Sequence, residues 1–122
     1  MMMIKDNHVD FSGGIKKAIK NANEYQLNNN LNLKIIIEAR NLNEVNEILN
    51  TSKVDRILLD NFSVEETKKA VEIINEKFEI ESSGNITEIN IKKYAECGVD
   101  FISLGALTHS ANILDLSLKA KN

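Results

Sequence analysis

The chain has 122 residues, a length typical of one domain, and its 43% hydrophobic content is too high for a disordered chain. No apolar run approaches the roughly 20 residues that a membrane-spanning helix requires. The formal net charge of −3 argues against a nucleic acid or an anionic membrane as a partner. A single cysteine, Cys97, and the absence of a recognisable secretion signal predict a cytoplasmic protein without disulfides.

Five apolar runs of strand length occur along the chain. The central runs are continuous in isoleucine and leucine rather than alternating, which favours strands buried on both faces of a parallel sheet. The runs are MMMIKD (1–6), LKIIIEA (33–39), DRILLD (55–60), KFEIES (77–82) and DFISLG (100–105).

Amphipathic helical patterns separate these runs. The predicted helices span residues 14–27, 42–50, 63–77 and 86–97. Ser63 and Glu66 have the spacing of a capping box at the start of the third helix. Asn41 or Asn43 is placed to cap the second helix, and Gly98 is placed to end the last one in the left-handed conformation.

The alternation of strands and helices predicts an α/β fold. From the second run onward the strands start about every 22 residues, close to the shortest workable strand–helix unit. Such a series forms either an open doubly wound sheet or part of a (βα) barrel with right-handed crossovers. We predict about five parallel strands in a partial barrel, because the polar residues fall where a barrel enzyme needs them.

Polar or small residues stand at, or just past, the carboxyl end of each predicted strand. They are Lys5, Glu38, Asp60, Ser83 and Gly105. In barrel enzymes this rim carries the active site, and several strands each contribute a residue. A helix cap would explain any one of these residues, but five successive strands with the same feature predict a shared site.

The last two strand ends predict a phosphate-binding site. The stretch SSGN (82–85) reads as a short turn that opens a helix, so its backbone N–H groups can point at an anion. The stretch SLGALTH (103–109) follows the final strand and contains Gly105 and His109. Phosphate sites in barrels are often built from the loops after the last two strands.

Glu38 and Asp60 are predicted neighbours because they end adjacent strands. Buried carboxylates need cations or hydrogen-bond donors, so this pair predicts Mg²⁺ held directly or through water, or sugar hydroxyls. The alternative is that both carboxylates cap helices. Ser63 already occupies the cap position after Asp60, which leaves Asp60 available for a ligand.

Five stretches in order resemble the C-terminal part of quinolinate phosphoribosyltransferase, the carboxylating nicotinate-nucleotide pyrophosphorylase. They are IKDNH, IIIEARNLNEV, DRILLDNFS, ESSGNI and GVDFISLGALTHSANILDLSLK, and together they cover nearly the whole chain. The resemblance implies a Mg²⁺-dependent pentosyltransferase of NAD biosynthesis. Such an enzyme converts quinolinate and phosphoribosyl pyrophosphate into nicotinate mononucleotide, pyrophosphate and CO₂.

The resemblance also implies roles for individual residues. Lys5 would contact quinolinate and the pyrophosphate end of the donor, and Glu38 and Asp60 would hold the ribose hydroxyls and surround the metal. The other implied substrate-binding residues, mostly around the 5′-phosphate, are Ser83, Gly84, Asn85, Ser103, Gly105 and His109. The family usually has a glycine where this chain has Asn85, and asparagine tolerates a left-handed backbone better than most residues.

The resemblance implies that residues 1–113 form the partial barrel and that residues 114–122 form an extended tail. In the family, that tail returns to an N-terminal sandwich domain, for which this chain has no counterpart. The full-length enzyme is expected to be a homodimer or a higher homo-oligomer. The family takes most of its quinolinate-binding cations from the other part, so we expect little activity from this chain alone. The alternative is a phosphate-binding or structural remnant without catalysis.

Overall fold

The computed structural model describes residues 1–51 and 53–105, which form one five-stranded parallel sheet and its helices. The strands are β1 (Met2–Ile4), β2 (Ile35–Ala39), β3 (Arg56–Asp60), β4 (Glu79–Ser83) and β5 (Phe101–Ile102). The helices are α1 (Asp6–Ser12), α2 (Ile15–Asn28), α3 (Leu42–Leu49), α4 (Val64–Ile74) and α5 (Ile91–Ala95).

The strands lie in the sheet in chain order, and each pairs in parallel with the next. A doubly wound sheet reverses its strand order at a switch point, whereas a barrel does not. Alternate strand residues, among them Ile37, Ile57 and Leu59, join one buried cluster with residues of α1 to α4. These four helices therefore cover one face of the sheet, which confirms the predicted partial barrel.

The opposite side of the sheet, here called the open face, is more polar. Register places on this face Ile36, Glu38, Arg56, Leu58, Asp60, Glu79, Glu81, Ser83 and Phe101. Ile36 and Leu58 are buried, while Phe101 remains exposed. In a barrel this face points to the interior, and the residues on it that can meet a ligand are those at the carboxyl ends of the strands.

Aspartates fix the register at the amino edge of the sheet. Asp55 precedes β3, and its carboxylate accepts a hydrogen bond of 2.7 Å from the Ile35 N–H while its own N–H donates to the Ile35 carbonyl. Asp100 precedes β5 and makes the same two bonds with Ile80, its carboxylate accepting at 2.8 Å. Each aspartate thereby locks the start of one strand to the end of a crossover.

The predicted caps at the starts of α3 and α4 are present. Ser63 and Glu66 form the reciprocal capping box at the start of α4, and the Asn41 side chain accepts from the Glu44 N–H at the start of α3. Gly98 has φ of 88°, the left-handed conformation predicted for it, but it lies three residues beyond α5, whose C-cap is Glu96. Local sequence therefore specified the starts of α3 and α4 but not the end of α5.

Helix α1 was not predicted, because the apolar run at the start of the chain predicted a strand extending to residue 6. Two local features favour the helix: the Lys5 N–H donates to His8 Nδ1 at 3.0 Å, and Gly13 ends the helix in a left-handed conformation. One long-range contact adds to them, because the Asp6 N–H donates to Glu38 Oε2 at 3.0 Å. With seven residues and one buried side chain, the helix is too short to show a hydrophobic period.

The last predicted elements are shorter in the structure. Helix α5 begins only at Ile91, because the Thr87 N–H donates to Asn90 Oδ1 and Asn90 Nδ2 donates to the Asn85 carbonyl, which holds an irregular loop. Strand β5 has two residues. The predicted tail at 114–122 and its boundary after residue 113 lie outside the described residues. No helix in the described part is long and apolar enough to cross a membrane.

Candidate functional site

The five predicted rim residues lie along the carboxyl edge of the sheet. Lys5 directly follows β1, Glu38 is the penultimate residue of β2, Asp60 ends β3, Ser83 ends β4 and Gly105 follows β5. Carboxyl ends of parallel strands meet at one edge, so the topology brings these residues together. His109, the remaining predicted phosphate contact, lies outside the residues that the structure describes.

Lys5 directly precedes helix α1, and Glu38 on β2 contacts the start of that helix. Glu38 Oε2 accepts from the Asp6 N–H at 3.0 Å, which holds this carboxylate beside the residue that follows Lys5. The Lys5 side chain is exposed and makes no ion pair with residues 1–51 or 53–105. A positive side chain is thus available at the rim next to a fixed carboxylate.

Arg40 is the other basic residue that follows a strand at this edge. Its guanidinium forms ion pairs with Asp10 at 3.1 Å and with Glu44 at 2.6 Å. The hydrogen bond to Glu44 raises the pKa of Arg40 above its usual value. Because the Arg40 guanidinium is already paired with carboxylates on α1 and α3, the Lys5 side chain is better placed to bind an anionic ligand.

Glu38 and Asp60 share the open face, but they are not level with each other. Glu38 is paired with Leu58, and Asp60 is paired with Ser83 on the next strand. The sequence predicted adjacent carboxylates, whereas the register offsets them by two residues and sets Asp60 beside the turn of residues 83–85. Asp60 Oδ2 accepts from Asn61 Nδ2 at 3.0 Å.

The turn of residues 83–85 is built from left-handed backbone. Gly84 has φ of 83° and Asn85 has φ of 53°, so asparagine does adopt here the conformation expected of it. A Cβ at Gly84 would lie 2.2 Å from Asn61 Oδ1, so only glycine fits at this position. The turn does not open a helix, contrary to the prediction, so a helix N-terminus is not available there for an anion.

Ser103 belongs to a polar cluster on the open face that sequence reasoning missed. Its hydroxyl donates to Glu81 Oε1, and Glu81 Oε2 accepts from Arg56 Nη1 at 2.9 Å. The Arg56 guanidinium also contacts Glu79 and lies 3.5 Å from the centre of the Phe101 ring. The cluster joins β3 and β4 to β5, which carries the chain toward Gly105.

The pKa shifts of Arg56 and Glu79 reflect their contacts in this cluster. Burial disfavours the charge of Arg56, but hydrogen bonds to Glu81 and Glu79 outweigh it and raise the pKa of the guanidinium. The hydrogen bond from Arg56 lowers the pKa of Glu79. Arg56 and Glu79 therefore keep their charges throughout the neutral range. The sequence pattern did not predict this cluster, because the cluster depends on contacts among side chains from three strands.

The predicted Mg²⁺ ligands are the carboxylates of Glu38 and Asp60. In residues 1–51 and 53–105, no three His, Cys, Asp or Glu side chains converge into a protein cage for a metal. Mg²⁺ is commonly held by one or two carboxylates with water and substrate phosphates as the other ligands. Glu38 and Asp60, on one face of adjacent strands, fit that mode of binding.

Comparison with known proteins gives a consistent result. The sequence profile of the family described as "Quinolinate phosphoribosyl transferase, C-terminal domain" matches residues 1–119. The chain is 44% identical to the chloroplastic carboxylating nicotinate-nucleotide pyrophosphorylase of Arabidopsis thaliana, over 98% of this chain and 38% of that protein. It is 46% identical to a probable enzyme of the same name from Methanocaldococcus jannaschii, over 96% of this chain and 42% of that protein.

Solved structures agree with the sequence comparison. The nicotinate-nucleotide pyrophosphorylase of Ehrlichia chaffeensis superposes with a TM-score of 0.80 at 43% identity, covering 89% of this chain and 38% of that one. NadC from Streptococcus pyogenes gives a TM-score of 0.80 at 36% identity, covering 98% of this chain and 40% of that one. The chain thus spans about two fifths of the length of these relatives.

Proposed function

Because this chain belongs to the quinolinate phosphoribosyltransferase family, as its C-terminal domain, we propose that it provides the phosphoribosyl-binding part of such an enzyme. The reaction joins the ribose of phosphoribosyl pyrophosphate to the ring nitrogen of quinolinate, with loss of pyrophosphate and CO₂, and yields nicotinate mononucleotide. The observation that carries the proposal is the placement of two carboxylates and a glycine turn along one sheet edge.

The donor would bind along the carboxyl edge. Glu38 and Asp60 accept hydrogen bonds from the ribose hydroxyls, and the turn of residues 83–85 donates N–H groups to the 5′-phosphate. Gly105, Ser103 and His109 are proposed to complete the phosphate site; the Ser103 hydroxyl is held by Glu81, so it would act mainly by fixing this loop. Lys5 would face quinolinate and the leaving pyrophosphate.

The chemistry explains why carboxylates and cations occur together. Positive charge develops at the ribose C1 as pyrophosphate leaves, and fixed carboxylates nearby stabilise that charge. Gripping the ribose at both its hydroxyls and its phosphate holds C1 in line with the attacking nitrogen. Glu38 and Asp60 would hold Mg²⁺ together with the donor, and the bound ion would supply charge neutralisation for the pyrophosphate leaving group.

Turnover would require cations from beyond this chain. Quinolinate carries two carboxylates, and transferring them into a partly dry site requires several fixed positive charges. In the described part of the chain, Lys5 is the rim cation without an ion pair, since Arg40 is committed to Asp10 and Glu44. We therefore propose that the chain alone binds the donor but converts quinolinate poorly.

The test is calorimetric titration of the 122-residue chain with phosphoribosyl pyrophosphate and Mg²⁺. We expect measurable binding that Asp60→Asn weakens at least about tenfold, the effect of losing one charge-assisted contact. Glu72→Gln, which neutralises an exposed carboxylate on α4, is the matched control and should bind as the parent does. Equal affinity in Asp60→Asn and the parent would contradict the assignment.

A turnover assay separates the enzyme from a phosphate-binding remnant. The chain is assayed for nicotinate mononucleotide alone and after mixing with the N-terminal part of a full-length relative. Product only on mixing supports a catalytic role for this chain. Donor binding without product in either case would favour the non-catalytic alternative.

We also propose a cytoplasmic location and homo-oligomeric assembly of the complete enzyme. The lone, half-buried Cys97 supports a reducing compartment. Relatives in plants bear names that place them in chloroplasts or mitochondria, so fractionation of the source cells is the direct test. Light scattering of the complete enzyme would give its assembly state.

A further inference from the structure

Asn61 lies between the two parts of the candidate site, directly after β3 and beside the turn of residues 83–85. Its backbone has φ of 57°, a left-handed conformation that asparagine adopts more readily than most residues. This conformation bends the chain after Asp60 and brings the Asn61 side chain against Gly84.

Both ends of the Asn61 amide are used. Its Nδ2 donates to Asp60 Oδ2 at 3.0 Å, and its Oδ1 accepts from Asn85 Nδ2 at 2.9 Å. An ionised carboxylate can only accept, so the bond to Asp60 fixes which end of the amide is nitrogen. One side chain thus connects the proposed ribose carboxylate with the proposed phosphate turn.

Backbone contacts reinforce this connection. The Asn61 N–H donates to the Ser83 carbonyl at 2.9 Å. Gly84 offers no Cβ, and one placed there would lie 2.6 Å from Asn61 Cγ and 3.0 Å from the Asn61 backbone nitrogen. The turn and the residue after β3 therefore fit closely in a single arrangement.

We propose that Asn61 is a positioning residue that holds Asp60 and the phosphate turn at the separation required by one ribose 5-phosphate group. The inference rests on the proposed function, in which Asp60 meets the ribose and the turn meets the phosphate. A ligand with only a phosphate uses one side of this arrangement, whereas a ligand with both groups uses both sides. Asn61 would thereby favour phosphorylated ribose over phosphate alone.

Two substitutions separate the two contacts. Asn61→Gly keeps the left-handed backbone and removes both side-chain bonds. Asn61→Asp keeps an acceptor for Asn85 but replaces the donor to Asp60 with a second negative charge. The matched control is Asn75→Gly, the same change at another left-handed asparagine (φ of 48°), at the end of α4.

The first readout is independent of any ligand. Heteronuclear NOE measurements on the ¹⁵N-labelled chain report the order of the Gly84 and Asn85 backbone amides. We expect both amides to lose order in Asn61→Gly but not in Asn61→Asp or Asn75→Gly. Undiminished order of both amides in Asn61→Gly would overturn the inference.

The second readout is calorimetric titration with ribose 5-phosphate and, separately, with inorganic phosphate. Asn61→Asp should weaken ribose 5-phosphate binding about tenfold more than phosphate binding, because its added charge repels the phosphate of both ligands while only ribose 5-phosphate also needs Asp60 held in place. Asn61→Gly should weaken the binding of both ligands. Equal losses for the two ligands in Asn61→Asp would indicate a merely structural role and would overturn the inference.

Failure of the proposed function gives a different pattern. If the parent chain binds neither ligand, the proposed function fails for this chain, and the order of the turn alone decides whether Asn61 positions it. If Asn61→Gly does not fold, Asn61→Asp decides: ribose 5-phosphate affinity equal to that of the parent would overturn the inference.

Discussion

Replacing Arg56 with methionine should destabilise the chain substantially, although Arg56 lies outside the hydrophobic core. Its side chain is 11% exposed and its partner Glu81 is 12% exposed, so this ion pair is largely removed from water. Methionine retains much of the apolar stem, which limits the change to the guanidinium contacts. Glu81 would keep the Ser103 hydroxyl as a partner but would lose its opposite charge.

The magnitude follows from two contacts. The charge-assisted hydrogen bond from Arg56 to Glu81 contributes about 1.5–3 kcal/mol. The position of the guanidinium over the partly exposed Phe101 ring adds about 0.5–1 kcal/mol. The contact with Glu79 adds little, because that carboxylate is more exposed and is screened by solvent. The expected loss in the free energy of unfolding is about 2–4 kcal/mol.

Urea denaturation followed by circular dichroism measures this loss, with the slope against urea expected to remain constant. Lys34→Met is the control, because Lys34 also pairs with Glu79, at 3.3 Å, but is 60% exposed; it should change stability little. Adding Glu81→Gln to Arg56→Met should restore part of the loss, since the uncompensated charge is removed. A loss below about 1 kcal/mol in Arg56→Met, or strictly additive losses in the double variant, would refute the reasoning.

Two further outcomes are expected from the helix contacts. The hydrogen bonds from Ser63 lower the pKa of Glu66, so its contribution to stability is complete above the carboxyl's unfolded pKa and is lost as pH falls through the lowered folded pKa. The stability difference between the parent and Glu66→Gln should therefore narrow progressively in urea titrations as pH falls below about 4.3, the ordinary pKa of glutamate. Tyr94→Phe leaves the buried Phe62 carbonyl without the 2.9 Å bond from the tyrosine hydroxyl and should cost about 1–2 kcal/mol by the same assay, whereas an unchanged midpoint would mean that water replaces the bond.

Local patterns predicted the strands and most helix ends. The continuous apolar run Ile35–Ile37 predicted a buried strand, and the spacing of Ser63 and Glu66 predicted a helix start. Both signals depend on residues close together in sequence. Helix α1 was not predicted because it is stabilised partly by Glu38, whose contact with the Asp6 N–H spans 32 residues.

The candidate site was predicted in its parts but not in its arrangement. Placing Lys5, Glu38 and Asp60 at one edge required only the rule that parallel strands end together. Predicting the offset between Glu38 and Asp60 would have required the strand register, which Asp55 and Asp100 at the amino edge help to fix. The role of Asn61 required contacts with a loop 24 residues away, and an asparagine after a strand carries little signal by itself.

The two amino-edge aspartates bear on how the sheet assembles. The reciprocal bonds of Asp55 with Ile35, and of Asp100 with Ile80, each span 20 residues and close one strand–helix–strand unit. Closing a loop of this length costs less chain entropy than pairing strands that lie farther apart in the sequence. Each of these units can therefore set its own strand register without contacts from distant parts of the chain. Because Asp55 and Asp100 lie at the edge opposite the candidate site, they fix the register without using any residue of the rim.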